Sequence, residues 1–278
     1  MSSSVIAASA LAQIQGTIVL AGAGKMGGAM LTGWLARGLD PKHVVVVEPY
    51  PSEEIRALVT SGLRLNPSKD IGAAATLVVA LKPQAFREAG PGLKPFAGSS
   101  TLVVSIMAGT TIASIAAVCG GSVVRAMPNT PAAIGRGITV AVAANNVSIG
   151  QRAVADALLR ATGSVEWVDD ERLMDAVTAV SGSGPAYIFL LAEELARAGV
   201  EAGLPQELAT KLARETVAGS GELLHRSELA SATLRQNVTS PGGTTAAALE
   251  VLMGPDGMAS LLTRAVAAAT RRSKELAK

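Results

Sequence analysis

Short apolar runs alternate with helix-like stretches over the first 170 residues of the chain. Several runs, such as TLVVAL at residues 76–81, are apolar at nearly every position, which is typical of strands buried on both faces. Strands are predicted at residues 44–47, 63–65, 76–81, 101–106, 123–126, 138–143 and 165–168, after a first strand that begins at residue 17. This alternation indicates an α/β domain with a parallel sheet.

The first strand runs into glycines and then into a helix, in the segment TIVLAGAGKMGGAMLTGWLARGL at residues 17–39. Gly22, Gly24 and Gly27 have the spacing G-x-G-x-x-G, which provides a tight turn, a backbone that can touch a pyrophosphate and a close helix crossing. The helix start also directs free N–H groups toward the phosphates. Alone the spacing is weak in a chain with 29 glycines. The strand before it and the helix after it supply the context that dinucleotide binding requires.

Glu48 follows the second predicted strand, where a carboxylate accepts hydrogen bonds from an adenosine ribose. Its charge would repel a 2′-phosphate and so favours NADH. Arg56 and Lys69 lie downstream and could still meet a phosphate. A solvated strand end is the alternative interpretation.

Three further predicted strands end in small or turn-forming residues. In an open parallel sheet, ligands lie outside the carboxyl ends of the strands, so these loops are candidates for the nicotinamide site. They are Leu81-Lys82-Pro83, Met107-Ala108-Gly109 and Met127-Pro128-Asn129. Each could equally be an ordinary strand-to-helix turn.

Only helical patterns follow residue 170, separated by turn motifs such as SGSGP at residues 181–185. The last predicted helix, at residues 258–274, places Leu261, Ala265 and Val266 on one side and Arg264 and Arg271 toward the other. A helical domain of about a hundred residues is small for a core of its own. We therefore expect it to pack against a second copy of the chain.

These patterns divide the chain into three parts. Residues 1–16 are expected to be a loose leader, since the first fifteen lack the Lys and Arg of signal and transit peptides. Residues 17–170 are predicted to form a Rossmann-type dinucleotide-binding domain. Residues 171–278 are predicted to form an all-α dimerisation and substrate domain.

The segment NVTSPGGTT at residues 237–245 is the most informative one in the helical half. Pro241, Gly242 and Gly243 make a turn that opens a predicted helix, so backbone N–H groups and nearby hydroxyls converge without bulky side chains. Such a nest suits a small carboxylate. A plain connection between helices, with Thr244 as the helix cap, is the alternative.

Composition narrows the classes of function. The 24 Lys and Arg residues nearly balance 22 Asp and Glu, so neither a nucleic acid nor a membrane is an expected partner. Cys119 is the only cysteine, and His43 and His225 are far apart, so we expect no disulfide, no metal and a reducing cytoplasm. Without a plausible His acid, the pattern favours a hydride acceptor that brings its own proton, such as an iminium.

Five motifs are distributed along nearly the whole length of the chain: GAGKMGGA at 22–29, ALKP at 80–83, RAMPNTPA at 125–132, SGSGPAY at 181–187 and NVTSPGGTT at 237–245. With them the chain resembles the pyrroline-5-carboxylate reductase family, and the last motif is far more specific than the glycine spacing. The resemblance implies a Rossmann domain followed by a helical dimerisation domain, with dimers that often assemble into decamers. It also implies reduction of 1-pyrroline-5-carboxylate to L-proline by NADPH or NADH, the last step of proline biosynthesis.

The resemblance also assigns roles to residues. The Ser240 hydroxyl and the amides around Thr244 and Thr245 would hold the substrate carboxylate, and Thr245 would hydrogen-bond the ring nitrogen, which makes Ser240 and Thr245 the expected catalytic residues. The expected substrate-binding residues are Asn237, Ser240, Gly243, Thr244, Thr245 and Glu171. The expected cofactor-binding residues are Gly22, Ala23, Gly24, Lys25, Met26, Gly27, Glu48, Lys69, Ala80, Leu81, Lys82, Pro83, Ala108 and Asn237.

One departure and two alternatives stay open. The family commonly prefers NADPH and often has small polar residues where this chain has Glu48-Pro49. A related dehydrogenase of short hydroxy acids would usually place a catalytic Lys on the helix after SGSGP, which here carries Glu193, Glu194 and Arg197 instead. A non-catalytic dinucleotide sensor would use the SPGG segment only as a turn.

Overall fold

The computed structural model describes residues 11–67 and 71–276. By their internal contacts the residues form two compact units. The first extends to Gly182 and also contains the chain from Thr270 onward, and the second is Ser183–Ala269. This division differs from the expected domain boundary at residue 170, which stays a prediction.

The first unit is built on one eight-stranded sheet with the order β3-β2-β1-β4-β5-β6-β7-β8. All neighbouring strands are parallel except β6 and β7, which are antiparallel. The strands are β1 (Ile18–Ala21), β2 (Val44–Val47), β3 (Arg64–Leu65), β4 (Thr76–Val79), β5 (Leu102–Ser105), β6 (Ser122–Met127), β7 (Gly137–Ala143) and β8 (Gly163–Trp167). Every residue of β1, β4 and β5 is buried, as their continuous apolar runs predict.

Helices accompany this sheet in the described part of the first unit. They are α1 (Lys25–Ala36), α2 (Glu53–Ala57), α3 (Pro83–Ala89), α4 (Ile112–Cys119), α5 (Ile149–Arg160) and α6 (Met174–Val177). Helix α2 is followed by a 3₁₀ turn, Leu58–Ser61, which ends at Gly62 with a left-handed φ of 99°. The Ser52 side chain caps α2 by accepting a hydrogen bond from the N–H of Ile55.

The helix of the glycine segment is fixed against the sheet by its apolar face. Met30 and Trp34 of α1 are almost completely buried, and the Trp34 indole N–H donates to the carbonyl of Leu158 on α5 at 2.8 Å. Gly38 follows the helix with a φ of 91°, the left-handed conformation that is typical of a glycine at the end of a helix. The start of α1 is thereby held at the carboxyl end of β1.

The second unit contains α7 (Gly184–Glu201), α8 (Gln206–Arg226), α9 (Ser231–Asn237), α10 (Thr244–Leu252) and the first part of α11 (Met258–Leu276). Within described residues 171–276 there is no strand, as expected for this part of the chain. The predicted α/β Rossmann-type fold followed by an all-α region is confirmed.

Large apolar side chains stay exposed on the second unit. They include Ile188, Phe189, Leu190, Leu191 and Leu195 on α7 and Leu208, Leu212, Leu223 and Leu224 on α8. Exposed apolar surface of this extent marks a binding surface rather than the outside of a monomer. None of the described helices has the length and apolar character needed to cross a bilayer.

Candidate active site

The glycine loop between β1 and α1 depends on two glycines for its shape. Gly22 has a φ of 89°, and a Cβ there would lie 2.7 Å from the carbonyl oxygen of Ala80. A Cβ on Gly27 would collide with the carbonyl oxygen of Gly22. Both positions therefore need glycine because backbone passes close by.

Gly24 differs, because a Cβ built there meets no described atom within 4 Å. Packing does not require glycine at this position, but a ligand lying on the loop would. Lys25, exposed, and Met26, which packs on the core, follow in the first turn of α1. The loop therefore fits a pyrophosphate at the start of a helix.

The predicted loops lie at the same edge of the sheet as the glycines. The N–H of Ala80 donates to Ala21 at 2.8 Å, and the N–H of Ile106 donates to Val79 at 3.0 Å, so the parallel registers continue past the strand ends. Ala80, Leu81, Lys82 and Pro83 follow β4, and Ala108 follows β5. Among predicted cofactor residues of the first unit, only Lys69 lies outside the described residues.

Glu48 is attached to the glycine loop. Its Oε2 accepts a hydrogen bond from the N–H of Ala23 at 2.8 Å, and its Oε1 accepts one from the N–H of Tyr50 at 3.0 Å. The alternative of a merely solvated strand end is therefore wrong. Glu48, Gly24 and Lys25 line one groove of about 620 Å³.

Asn66 holds the backbone of Glu48, and sequence reasoning missed it. Its Oδ1 accepts from the N–H of Glu48 at 2.9 Å, and its Nδ2 donates to the carbonyl of Glu48 at 2.7 Å. Asn66 has a φ of 44°, the one positive φ at a non-glycine residue in the part of the chain that the structure describes. Asn tolerates this conformation better than most residues, and the Asn-Pro pair after β3 was the available signal.

Glu171, a predicted substrate residue, lies in the first unit in contact with Arg125. The Arg125 guanidinium donates to Glu171 Oε1 at 2.9 Å, and the N–H of Ile112, at the start of α4, donates to the same oxygen at 2.8 Å. Nearby, hydrogen bonds from Arg172 lower the pKa of the Asp170 carboxyl. The single Arg within the apolar strand β6 was a signal that it needs a buried partner.

A π-helical turn, Thr178–Gly182, overlaps the first two residues of the SGSGP motif. A Cβ on Gly182 would lie 2.5 Å from the Met127 methyl carbon, so this turn packs against the end of β6. The Ser181 hydroxyl is buried, and none of the described residues provides it with a hydrogen-bond partner. Single π-helical turns occur frequently at functional sites, but the motif gave no sign of this geometry.

In the second unit, the residues predicted from NVTSPGGTT lie together around the start of α10. Asn237 ends α9, and the Gly243 N–H donates to the Ser240 carbonyl at 3.0 Å to close the turn. Gly243 is the N-cap residue, so the alternative of Thr244 as the cap is wrong. No described side chain caps α10. The helix therefore begins with free N–H groups beside Ser240, Thr244 and Thr245, an arrangement that suits a carboxylate.

Other reactive groups are accounted for by packing. Burial raises the pKa of the Cys119 thiol to about 11, which keeps it protonated and poorly nucleophilic at neutral pH. No group of three His, Cys, Asp or Glu side chains suited to a metal occurs in residues 11–67 and 71–276.

Two family models match the chain. Residues 171–276 match the model described as pyrroline-5-carboxylate reductase dimerisation, and residues 17–109 match the model described as NADP oxidoreductase coenzyme F420-dependent. A pyrroline-5-carboxylate reductase of Synechocystis is 41% identical over 263 residues, which are 92% of this chain and 97% of that protein. The chain belongs to the pyrroline-5-carboxylate reductase family. The predicted family is confirmed.

Further relatives and solved structures agree with this assignment. The pyrroline-5-carboxylate reductase of Pseudomonas aeruginosa is 38% identical over 94% of this chain and 96% of that protein. The structure of the Coxiella burnetii enzyme is similar with a TM-score of 0.86 and 34% identity, over 95% of this chain and all of that chain (100%). The Plasmodium falciparum pyrroline carboxylate reductase, solved with NADP bound, is similar with a TM-score of 0.80 and 29% identity, over 95% and 99% of the two chains.

Proposed function

We propose that this chain reduces 1-pyrroline-5-carboxylate to L-proline, with NADPH or NADH as the hydride donor. The observation that carries the proposal is the 41% identity to a reductase of this name over 97% of that protein's length. The two glycine-framed helix starts, at α1 and α10, are what such a reaction needs, because one suits a pyrophosphate and the other a carboxylate.

The first unit would hold the dinucleotide. Gly22, Gly24 and Gly27 would receive the pyrophosphate, with Ala23, Lys25 and Met26 around it, and Glu48 would receive the adenosine ribose. The residues after β4 and β5, namely Ala80, Leu81, Lys82, Pro83 and Ala108, would lie along the nicotinamide half. When bound, the reduced nicotinamide supplies a hydride. The open space at Gly24 supports this assignment.

The start of α10 would hold the substrate carboxylate. Ser240 and the N–H groups near Gly243, Thr244 and Thr245 would donate hydrogen bonds to it, and the Thr245 hydroxyl would orient the ring nitrogen. In the protonated imine, the electron pair of the C=N bond moves to nitrogen as the hydride adds to carbon, so no protein acid is required. Positioning then supplies most of the rate acceleration. Asn237, for both substrate and cofactor, and Glu171 are further proposed contacts.

The second unit would associate with a second copy of the chain. Its region matches a dimerisation model, and its exposed apolar side chains on α7 and α8 support burial in an interface. We propose that dimers assemble further into a decamer and that the protein acts in the cytoplasm, without a nucleic-acid or membrane partner.

An assay of the purified full-length chain tests this function. We expect the absorbance of NADH or NADPH to fall when 1-pyrroline-5-carboxylate is added. A dehydrogenase of short hydroxy acids would instead reduce the oxidised dinucleotide in their presence, but α7 carries Glu193, Glu194 and Arg197 and no Lys. A non-catalytic sensor would bind the dinucleotide without consuming it. Either of these results would contradict the proposal.

A further inference from the structure

The geometry points to Glu48, held in place by Asn66, as the residue that makes this chain select NADH over NADPH. This inference rests on the proposed function only in that the chain must bind a nicotinamide dinucleotide. It departs from the ligand of the Plasmodium falciparum relative, which was solved with NADP.

The Glu48 carboxylate is already oriented toward the glycine loop. Each of its oxygens accepts one backbone hydrogen bond, from Ala23 at 2.8 Å and from Tyr50 at 3.0 Å. An ionised carboxylate offers about four acceptor positions, so two are left for other donors. The 2′- and 3′-hydroxyls of an adenosine ribose are two such donors, and NADH carries both.

Asn66 fixes this orientation from the neighbouring strand. Its two hydrogen bonds to the Glu48 backbone, at 2.9 Å and 2.7 Å, join the ends of β2 and β3. They hold the backbone from which the Glu48 side chain extends, and the N–H groups of Ala23 and Tyr50 hold its carboxylate. A fixed carboxylate opposes a phosphate more strongly than a mobile one, since avoiding the repulsion would require breaking these bonds.

Charge decides which dinucleotide is favoured. No described cation forms an ion pair with Glu48, so its charge is not neutralised by a partner. Arg37 and Lys25 line the same groove. The Arg37 guanidinium donates to the carbonyl of Ala161, and the exposed Lys25 lies in the first turn of α1, beside the proposed pyrophosphate site. A 2′-phosphate carries about −1.5 to −2 charges at neutral pH, and placing it against the carboxylate replaces the hydrogen bond of the 2′-hydroxyl by repulsion.

Titrations of the full-length protein test this inference without any turnover. The fluorescence of NADH and of NADPH gives two dissociation constants for each variant. For the unmodified chain, we expect NADH to bind about tenfold or more tightly than NADPH. Glu48→Gln keeps an acceptor for Ala23 but removes the charge, so the preference is expected to fall to about threefold or less. Glu53→Gln, on α2, removes the same charge outside the groove and should leave the preference unchanged.

A second variant tests the positioning role of Asn66. Asn66→Gly keeps the left-handed backbone accessible and deletes both hydrogen bonds to Glu48. We expect NADH binding to weaken several-fold and NADPH binding to weaken less, with the fold intact by circular dichroism.

Equal or tighter binding of NADPH by the unmodified chain would overturn the inference, and so would an unchanged preference in Glu48→Gln. Failure of the proposed function would give a different result. If only the proposed function were wrong, NADH would still bind with the expected preference, but 1-pyrroline-5-carboxylate would not be reduced.

Discussion

The guanidinium of Arg125 donates a hydrogen bond to the carboxylate of Glu171 at 2.9 Å, with only 4% of Arg125 exposed. The same oxygen of Glu171 accepts the N–H of Ile112. One carboxylate therefore joins strand β6, the start of α4 and the turn that leads into α6. This pair stabilises the region just beyond the last strand of the sheet.

Removing Arg125 is expected to destabilise the first unit. In Arg125→Met the partly buried Glu171 loses its counter-charge, and we expect the free energy of unfolding to fall by about 2–3 kcal/mol. The control is Arg172→Met, which breaks the ion pair with Asp170. This ion pair is a suitable control because the Arg172 side chain is 91% exposed. That change should leave the free energy of unfolding nearly unchanged, because exposed ion pairs contribute little to stability. Urea denaturation followed by circular dichroism measures both, and equal losses would refute the structural role of the Arg125–Glu171 pair.

The glycine loop gives a prediction that separates folding from binding. Gly24→Ala adds a Cβ into open space, so the free energy of unfolding should change by about 1 kcal/mol or less. The same Cβ lies where the backbone must approach a pyrophosphate, and NADH binding should weaken about tenfold or more. Gly27→Ala should instead lose at least about 2 kcal/mol of stability, because its Cβ meets the Gly22 carbonyl. Thermal denaturation and NADH titration measure the two properties, and normal NADH binding by Gly24→Ala would exclude this loop from the site.

Substitutions at the start of α10 are expected to lower turnover and to leave dinucleotide binding unchanged. Ser240→Ala and Thr245→Ala each remove a hydroxyl proposed to contact the substrate, and we expect kcat/KM for 1-pyrroline-5-carboxylate to fall about 10- to 100-fold. The dissociation constant for NADH should be unchanged. Thr60→Ala is a matched control, because its hydroxyl donates to the Ala57 carbonyl within its own turn. Unchanged kinetics in both Ser240→Ala and Thr245→Ala would remove them from the mechanism.

The apolar surface of α7 predicts a change in oligomeric state. Phe189 is 67% exposed, so Phe189→Asp adds a charge to the proposed interface and should shift the protein toward the monomer. Ile149→Asp introduces the same charge at a side chain of the first unit that is 91% exposed, and it should leave the mass unchanged. Light scattering after size-exclusion chromatography gives both masses. If neither variant alters the mass, the α7 surface is not where the copies meet.

Local features of the fold could be predicted from sequence because they depend on adjacent residues. Val44–Val47 is a strand because four β-branched residues follow one another, and Ser148 starts α5 through a capping box with Gln151 three positions later. The order of the strands and the single antiparallel pair carry no comparably local signal.

The parts of the site that could not be predicted are contacts between distant residues. Glu48 was expected to face a ribose, but its bond to the Ala23 N–H spans 25 positions and exists only once β1 and β2 pair. The partner of Arg125 lies 46 positions away. The π-helical turn that includes Ser181 packs against Met127, a contact that the spacing of SGSGP does not encode.

Transfer of the hydride itself is the most direct test of the central claim. The purified chain is supplied with 1-pyrroline-5-carboxylate and NADH or NADPH deuterated on both positions of the nicotinamide C4, and the product is analysed by mass spectrometry and chiral chromatography. The account predicts L-proline with a single deuterium on the ring carbon that belonged to the C=N bond. A product without deuterium, or no proline with either dinucleotide, would contradict it.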